Sequence, residues 1–414
     1  MVVSSASTPW VVSFYVDGVA AGSTDLTTPV WSGGVAADSA GAAQVRAAGS
    51  GAGGVAQAAE LRPRGAAHAD LHAGDAAPAG TADGPLMREY GIGQSVPRVE
   101  DQRLLTGKGN YTDDRQVSGA AYMALLRSPH ASARINGIAT ATATTMPGVL
   151  AVLTAAELNT DDIGGLSVAV KRKKRDGSPM VEPPYPLLAD GEVHLVGQAV
   201  AAVIAETYAQ AVDATEAIDV DYEIMDVVTE TARARDPGTP QVWDSVPGNE
   251  SFVFSLGDKA ATDAAFEKAA HVTELDFTIS RVSTNTMEVR AAIGFYDPLE
   301  ERYTLYAGMQ SPHRMRSDLC KNVFRIPEAK LRIISPDMGG GFGMRGSTFA
   351  EHGLVLWAAK RTGRPVRFTA TRSEALASDY HARDNVSKAA MALDAEGKFL
   401  AFRISTDAAL GGFM

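Results

Sequence analysis

Residues 337 to 346 read DMGGGFGMRG, with glycine at five of the ten positions. Glycine lets a backbone approach an anion closely and turn its N–H groups toward it. A glycine loop between a strand and a helix, with the positive dipole end of that helix behind it, therefore suits a phosphate. Counted from Gly341, the stretch has the G-x-G-x-x-G spacing of a dinucleotide-binding turn. That turn should follow its strand directly, yet Pro336, Asp337 and two further glycines separate LRIIS from Gly341. Glu374 stands near the distance expected of a ribose-binding acid, which keeps a nicotinamide cofactor open. No Gly-Lys-Ser/Thr follows, so a Walker A loop is excluded. A tight turn without ligand is the plain alternative. Elsewhere, Glu351-His352 begins no H-E-x-x-H motif, and no G-x-S-x-G elbow occurs. His313, Arg314 and Arg316 could receive an anion, but a solvated first helical turn is the simpler account of them.

The elements that must hold this loop follow from periodicity. KLRIISPD reads as the strand before it and STFAEHGLVLWAAKRTG as the helix after it, closed by Gly363 with Pro365 beyond. Ser311 and Pro312 suit the N-cap and first position of a helix through SPHRMRSDLCKNVF. HVTELDFTIS, IGFYDPLEERYTLYAGMQ and VRFTATRS supply strands, and AATDAAFEKAAHV a helix. Upstream, AYMALLRS, GVLAVL and HLVGQAVAAVIA read as strands. Thr154 and Glu157 have capping-box spacing, and Tyr208, Ala211, Val212 and Thr215 share a helical face. Ile218, Val220 and Tyr222 alternate as in a half-buried strand. KRKKR, from Lys171, reads as a solvated loop. RARDPGTPQVWDSVPGNE is dense in Pro and Gly and reads as a linker. WVVSFYVDGVAAG resembles a short hairpin turning at Asp17-Gly18. Residues 35 to about 86 are dominated by Ala and Gly and are expected to be disordered, with the fold starting near Tyr90.

Composition sets limits. The chain has 414 residues, 45% of them hydrophobic, enough for more than one domain. A net charge of -11 argues against nucleic acid or an anionic membrane surface as main partner. The single cysteine, Cys320, cannot form an internal disulfide or an iron–sulfur site. No apolar run approaches a membrane span, and no basic region precedes an N-terminal apolar stretch, so a cytoplasmic protein is expected.

The segments MEVRAAIGFYDP, YAGMQSPHRMRSDLCKNVFRIPEAKLRIISPDMGGGFGMRG and WAAKRTGRPVRFTATRSEALASDYHARD together resemble the large, molybdenum-binding subunit of the xanthine dehydrogenase/aldehyde oxidase family, most closely its carbon monoxide dehydrogenase-like members. GQSVPRVEDQRLLTGKGNYTDD, SPHASARI and LVGQAVAAVIAETYAQAVDATEAIDVDYE are similar to the family's first domain. The resemblance runs from about 91 to 414, with its segments in the family's order. It implies an α+β chain: an N-terminal tail to 89, an α/β hammerhead domain over 90–232, a linker over 233–250, and the first part of a molybdopterin-binding α/β domain over 251–414. The glycine loop would then serve a molybdenum–molybdopterin cofactor, expected in its cytosine dinucleotide form. Gln310 matches the glutamine whose amide faces an oxygen on molybdenum, polarising it without ligating the metal. Phe342 matches the residue whose backbone lies beside the metal, with Gly340, Gly341 and Gly343 permitting that approach. Neither Gln310 nor Phe342 would be a side-chain ligand. Met287 and Glu288 either pack near the centre or belong to the core.

Departures from the family pattern carry equal weight. Many relatives continue the loop as Gly-Gly-Lys or Gly-Asn-Lys, where this chain has Met344-Arg345-Gly346. Gly346 stands where the purine-oxidising branch has a substrate-binding glutamate, so purine chemistry is not expected. Family members continue for a comparable length beyond residue 414. That remainder carries the general-base glutamate, the substrate loop and most pterin contacts, so no catalytic residue is assigned here. In the family mechanism the glutamate deprotonates a molybdenum-bound hydroxide, whose oxygen attacks the substrate while hydride passes to a sulfido ligand. The expectation is a truncated large subunit that is inactive without a complementing C-terminal half. Partner subunits would carry [2Fe–2S] clusters and FAD. A nicotinamide oxidoreductase using GFGMRG, or a non-catalytic fragment, are the other readings.

Overall fold

The computed structural model describes residues 11–19, 98–168, 171–174 and 176–413. The Ala/Gly-rich stretch of 35–86 and the expected start at Tyr90 lie outside these residues. The strands are β1 (Val11–Val19), β2 (Ala121–Arg127), β3 (Ala133–Ala139), β4 (Val149–Leu153), β5 (Glu192–Val193), β6 (Ala199–Ala205), β7 (Asp219–Ile224), β8 (Glu250–Gly257), β9 (His271–Ile279), β10 (Ala291–Asp297), β11 (Arg302–Ala307), β12 (Leu331–Ile334), β13 (Val366–Thr369), β14 (Asn385–Leu393) and β15 (Phe399–Ala409). The α-helices are α1 (Asp101–Leu105), α2 (Ala141–Thr144), α3 (Ala155–Thr160), α4 (Tyr208–Glu216), α5 (Lys259–Lys268), α6 (Pro312–Asp318), α7 (Ala350–Thr362) and α8 (Arg372–Ser378). Residues 98–107, the described part of a separate unit, carry α1, where Arg98 pairs with Asp101 at 2.6 Å.

A seven-stranded sheet in the order β12-β11-β10-β13-β2-β6-β4 forms the centre. All seven residues of β6, AVAAVIA, are buried. Alternate side chains of a strand point to opposite faces. Ala201, Val203 and Ala205 thus join Ala211, Ala214 and Ile218 around α4, while Ala202 and Ile204 join Leu187, Leu354 and Trp357 on the other side. Helix α7 covers that second face and is buried continuously from Glu351 to Ala359, as a helix enclosed on all sides must be. It lies so close to β10 that a Cβ at Gly294 would come within 2.5 Å of the Val355 backbone, so only glycine fits there. Local signals hold: the Thr154/Glu157 capping box forms on α3, and Gly363, at φ 65°, closes α7.

β2 pairs in parallel with β13 through Ala121↔Val366 and Tyr122↔Arg367. Strands from 121–205 and from 291–369 therefore share one sheet. The intervening stretch read as a linker is tied down rather than loose. Val228, Ala234, Val242 and Val246 pack together. The buried Asn249 amide donates to the carbonyls of Ala234 (2.8 Å) and Pro240 (2.9 Å) and accepts the Val242 N–H at 2.8 Å. One side chain there satisfies backbone groups that no strand or helix does.

A second sheet has the order β8-β1-β15-β14-β9, and a third the order β5-β3-β7. The expected hairpin at Asp17-Gly18 does not form. β1 runs straight through, antiparallel to β15 with Asp17 opposite Arg403, and parallel to β8 on its other edge. Its ladder is completed by two distant strands, so no turn is needed.

Candidate functional site

β11 and β12 lie side by side in parallel, Tyr303↔Leu331 to Tyr306↔Ile334, with α6 as the intervening crossover. Both therefore end on the same edge, where loops of such a sheet gather ligands. Gln310 follows β11 by three residues, and the first glycine of the loop, Gly339, follows β12 after Ser335, Pro336, Asp337 and Met338. Ser335 ties the two exits, its hydroxyl accepting the Met309 N–H and donating to the Met309 carbonyl, both at 3.2 Å. The start of the loop is pinned by Asp337, whose carboxylate accepts the Asn110 N–H at 2.7 Å.

The loop then wraps the Gln310 side chain. The Gly343 N–H donates to Gln310 Oε1 at 3.0 Å, and the Gln310 N–H donates to the Arg345 carbonyl at 3.1 Å. A Cβ at Gly341 would lie 2.7 Å from Gln310 Cδ. Gly340 and Gly343 have φ of 110° and 91°, and Phe342 itself adopts φ 46°. Among the described residues, the N–H groups of Gly340, Gly341 and Phe342 donate to no protein acceptor. Positive φ at Gly340, Phe342 and Gly343 bends the backbone sharply, and its free successive N–H groups suit an anion. With Oε1 held by the loop, the Gln310 NH2 is the end left to donate outward. Phe342 is 79% exposed beside it. Gln310, Gly340, Gly341, Phe342 and Gly343 thus converge on one corner.

Glu288 lies at the base of this corner. Its Oε2 accepts the Gly339 N–H at 2.8 Å and pairs with Arg345 Nη1 at 2.5 Å. Arg345, with 3% of its side chain exposed, also donates to the carbonyls of Glu288 and Val289. Arg372 donates to Asn285 Oδ1 and to the carbonyls of Thr286 and Met287, each at 2.8 Å. Neither arginine's role was visible in the sequence; the spacing of MRG gave no sign that Arg345 points inward.

A buried ion network lies behind, at the start of α7. Glu351 pairs with Arg290 and with Arg127 Nη2 (3.1 Å), Arg290 with Asp379, and Arg127 Nε with Glu374 at 3.0 Å. Burial alone would raise the Glu351 carboxyl, but Arg290 and Arg127 reverse this and hold it well below the usual carboxylate range. Burial lowers the neighbouring His352 imidazole to about 4. A cavity of about 150 Å³ borders this network, lined in part by Tyr185, Arg290, Asp379 and Tyr380. Neither Gln310 nor the glycine loop lines it, and Arg127, Arg290, Glu351 and Asp379 at its wall are paired with one another.

Several expectations fail on geometry. Met344–Gly346 forms a 3-10 turn and α7 begins only at Ala350, so no helix N-terminus abuts the glycine loop. A dinucleotide turn requires that abutment. Glu374, the possible ribose acid, is instead consumed by Arg127 and by the N-cap of α8, where it accepts the Thr371 N–H at 2.8 Å. The nicotinamide reading therefore falls. Arg316 pairs with Glu328 at a half-exposed surface. Ser311 makes no side-chain cap. Cys320 is buried, and desolvation raises its thiol to about 11. Among the described residues, no group of three His, Cys, Asp or Glu could hold a metal ion.

The family described as molybdopterin cofactor-binding domain matches residues 242–414, and the aldehyde oxidase and xanthine dehydrogenase a/b hammerhead domain matches 106–226. The chain belongs to the xanthine dehydrogenase/aldehyde oxidase family of molybdenum-binding large subunits. It is 33% identical over 335 residues to the carbon monoxide dehydrogenase large chain of Afipia carboxidovorans, covering 78% of this chain and 40% of that one. It is 34% identical to the nicotine 6-hydroxylase large subunit of Paenarthrobacter nicotinovorans, over 77% of this chain and 38% of that protein. A solved Cu,Mo-CO dehydrogenase superposes with a TM-score of 0.67 at 33% identity, covering 75% of this chain and 39% of that one. Quinoline 2-oxidoreductase from Pseudomonas putida gives 0.66 at 33% identity, over 75% and 38% of the two chains. The chain thus spans about two fifths of the length of these curated relatives. No helix among the described residues is long and apolar enough to cross a membrane.

Proposed function

We propose that this chain forms one wall of the molybdenum site of a hydroxylase large subunit that oxidises a small substrate with water as oxygen source. The observation that supports this is the Gln310 corner: an amide with its oxygen held by Gly343 N–H, beside three free N–H groups at Gly340, Gly341 and Phe342. Such a donor set fits an oxygen-rich, anionic cofactor and lacks any metal-ligating side chain. When bound, molybdenum–molybdopterin would supply oxygen transfer and accept the two electrons of substrate oxidation. The residues of this chain position and polarise. The loop N–H groups hold anionic oxygen, and the Gln310 NH2 donates to an oxygen it faces, withdrawing charge without entering the coordination sphere. Phe342 presents an apolar face at the edge. A Cβ at Gly346 would meet nothing within 4 Å, so that position offers space and no charge to a substrate.

The remaining parts of the reading belong to the same proposal. The cofactor is the cytosine dinucleotide form. The general base lies in the part of the relatives' length that this chain does not span. Electrons leave through an iron–sulfur subunit to a FAD subunit, in the cytoplasm.

The test is molybdenum and pterin content of the protein purified with its partners, together with dye-linked oxidation. Gly341→Val drives a side chain into Gln310 and should abolish molybdenum retention. Gln310→Ala should keep the metal and slow oxidation by about 10²-fold, the scale of losing one preorganised donor. Metal loss in Gln310→Ala, or full retention in Gly341→Val, would remove the basis of the assignment.

A further inference from the structure

We propose that Arg345 is a positioning residue that locks three separate segments of the chain into the Gln310 corner. This rests on the reading of that corner as the cofactor wall. Its main-chain carbonyl holds the Gln310 N–H at 3.1 Å, which fixes the exit of β11. Its guanidinium reaches the opposite way. Nη1 pairs with Glu288 Oε2 at 2.5 Å, and Nη2 donates to the carbonyls of Glu288 and Val289 (3.1 Å for the latter), just before β10. Glu288 in turn receives the Gly339 N–H on the same oxygen and sends its own N–H to the Gly339 carbonyl at 3.2 Å. One residue therefore joins the 286–289 segment, Gln310 and the glycine loop.

The chemistry favours arginine for this task. A guanidinium has five donors in a planar fork and serves a carboxylate and two carbonyls together, whereas an ammonium is a point charge. The pair is also enclosed: the side chains of Arg345 and Glu288 are 3% and 14% exposed. Removing one partner leaves the other charge buried. The 286–289 segment is gripped from its other side by Arg372 on the Thr286 and Met287 carbonyls. A Cβ at Gly340 would lie 3.2 Å from Thr286 Cγ2, so a shift of this segment is felt directly by the loop. The same arrangement explains why Gln310 can be held with Oε1 inward: both its backbone and its amide oxygen are bonded to residues 343–345.

The experiment is amide hydrogen exchange on the full chain as wild type, Arg345→Met, Arg345→Lys and Glu288→Gln, with melting temperature alongside. In Arg345→Met, peptides covering 285–290, 308–311 and 337–346 should exchange at least about tenfold faster, roughly 1.4 kcal/mol of local opening. Peptides in β6 and the second half of α7 should keep the wild-type rate. Arg345→Lys restores the contact to Glu288 but not the fork, and should recover 337–341 while leaving 285–290 fast. Should Arg345→Met fail to fold, Glu288→Gln, which keeps an acceptor for Gly339, should still loosen the same three peptides. Uniform acceleration across the domain, or an unmoved 308–311 peptide, overturns the proposal. Molybdenum and pterin content of the wild-type protein is measured separately. If the three peptides respond together but the protein holds neither, the clamp stands and the functional reading fails.

Discussion

Replacing Glu351 by Gln tests the buried network that joins the two family segments. Its side chain is 5% exposed and sits between Arg290 and Arg127. Breaking one partner of a buried ion pair costs about 3–5 kcal/mol. Here both arginines keep company: Arg127 retains Glu374 at 3.0 Å and the Gly197 carbonyl at 2.9 Å, and Arg290 retains Asp379 and Ser378 Oγ. The lower end, about 3 kcal/mol, is therefore expected. With about 2.1 cal/mol/K of unfolding entropy per residue over roughly 300 residues, this lowers the melting temperature by about 5 °C. The pH dependence is the sharper readout. The folded carboxyl is held below its ordinary value of 4.5, so the unfolded chain takes up a proton there while the folded chain does not. The contribution of Glu351 is complete above that value and drains away as pH falls toward the folded value. Calorimetry of both proteins should show the full gap at neutral pH and a gap that closes below about pH 4.5. A loss under about 1 °C at neutral pH, or a gap that persists unchanged in acid, would refute the linkage reasoning.

Two further outcomes follow from burial. The imidazoles of His194 and His352 are each lowered to about 4 by desolvation, so unfolded chains bind protons that the folded protein refuses. Stability should fall as pH drops from 6.5 toward 4, and His352→Gln should flatten that slope in urea titrations at successive pH values. Asn249→Ala removes three hydrogen bonds, two of them buried, from the segment between the family domains and should cost about 2–4 kcal/mol in the same titration.

The elements that were legible in the sequence are those specified locally. β6 is a continuous apolar run, Thr154 and Glu157 are three residues apart, and Gly363 needs only its own helix. Gln310 and the glycine loop also fell within one strand–helix–strand unit, which is why their convergence could be anticipated from chain order. What stayed hidden was set by distance along the chain. Arg345 meets Glu288 across 57 residues, and Arg127 meets Glu351 across 224. An arginine beside glycines looks the same in sequence whether it faces water or a buried carboxylate. The expected hairpin at Asp17-Gly18 failed for the same reason: its real partners, β8 and β15, lie more than two hundred residues away.

The placement of the site in the sheet follows from this division. β12 is the outermost strand, so the corner beyond β11 and β12 is closed by the sheet on one side only. A loop at such an edge gains little rigidity from strand neighbours, and glycines at 339, 340, 341 and 343 give it less from their own backbone. Its shape must come from bonds to the rest of the chain: the Asp337 carboxylate to the Asn110 N–H at its start, the Glu288 carboxylate to the Gly339 N–H and to Arg345, and the Gln310 amide oxygen to the Gly343 N–H toward its end. Glycine at 339 and 341 is then a requirement of closeness, since a Cβ at either would collide with Glu288 or Gln310. The permissive residues give the loop its close approach, and the charged residues beneath it give that approach a single geometry.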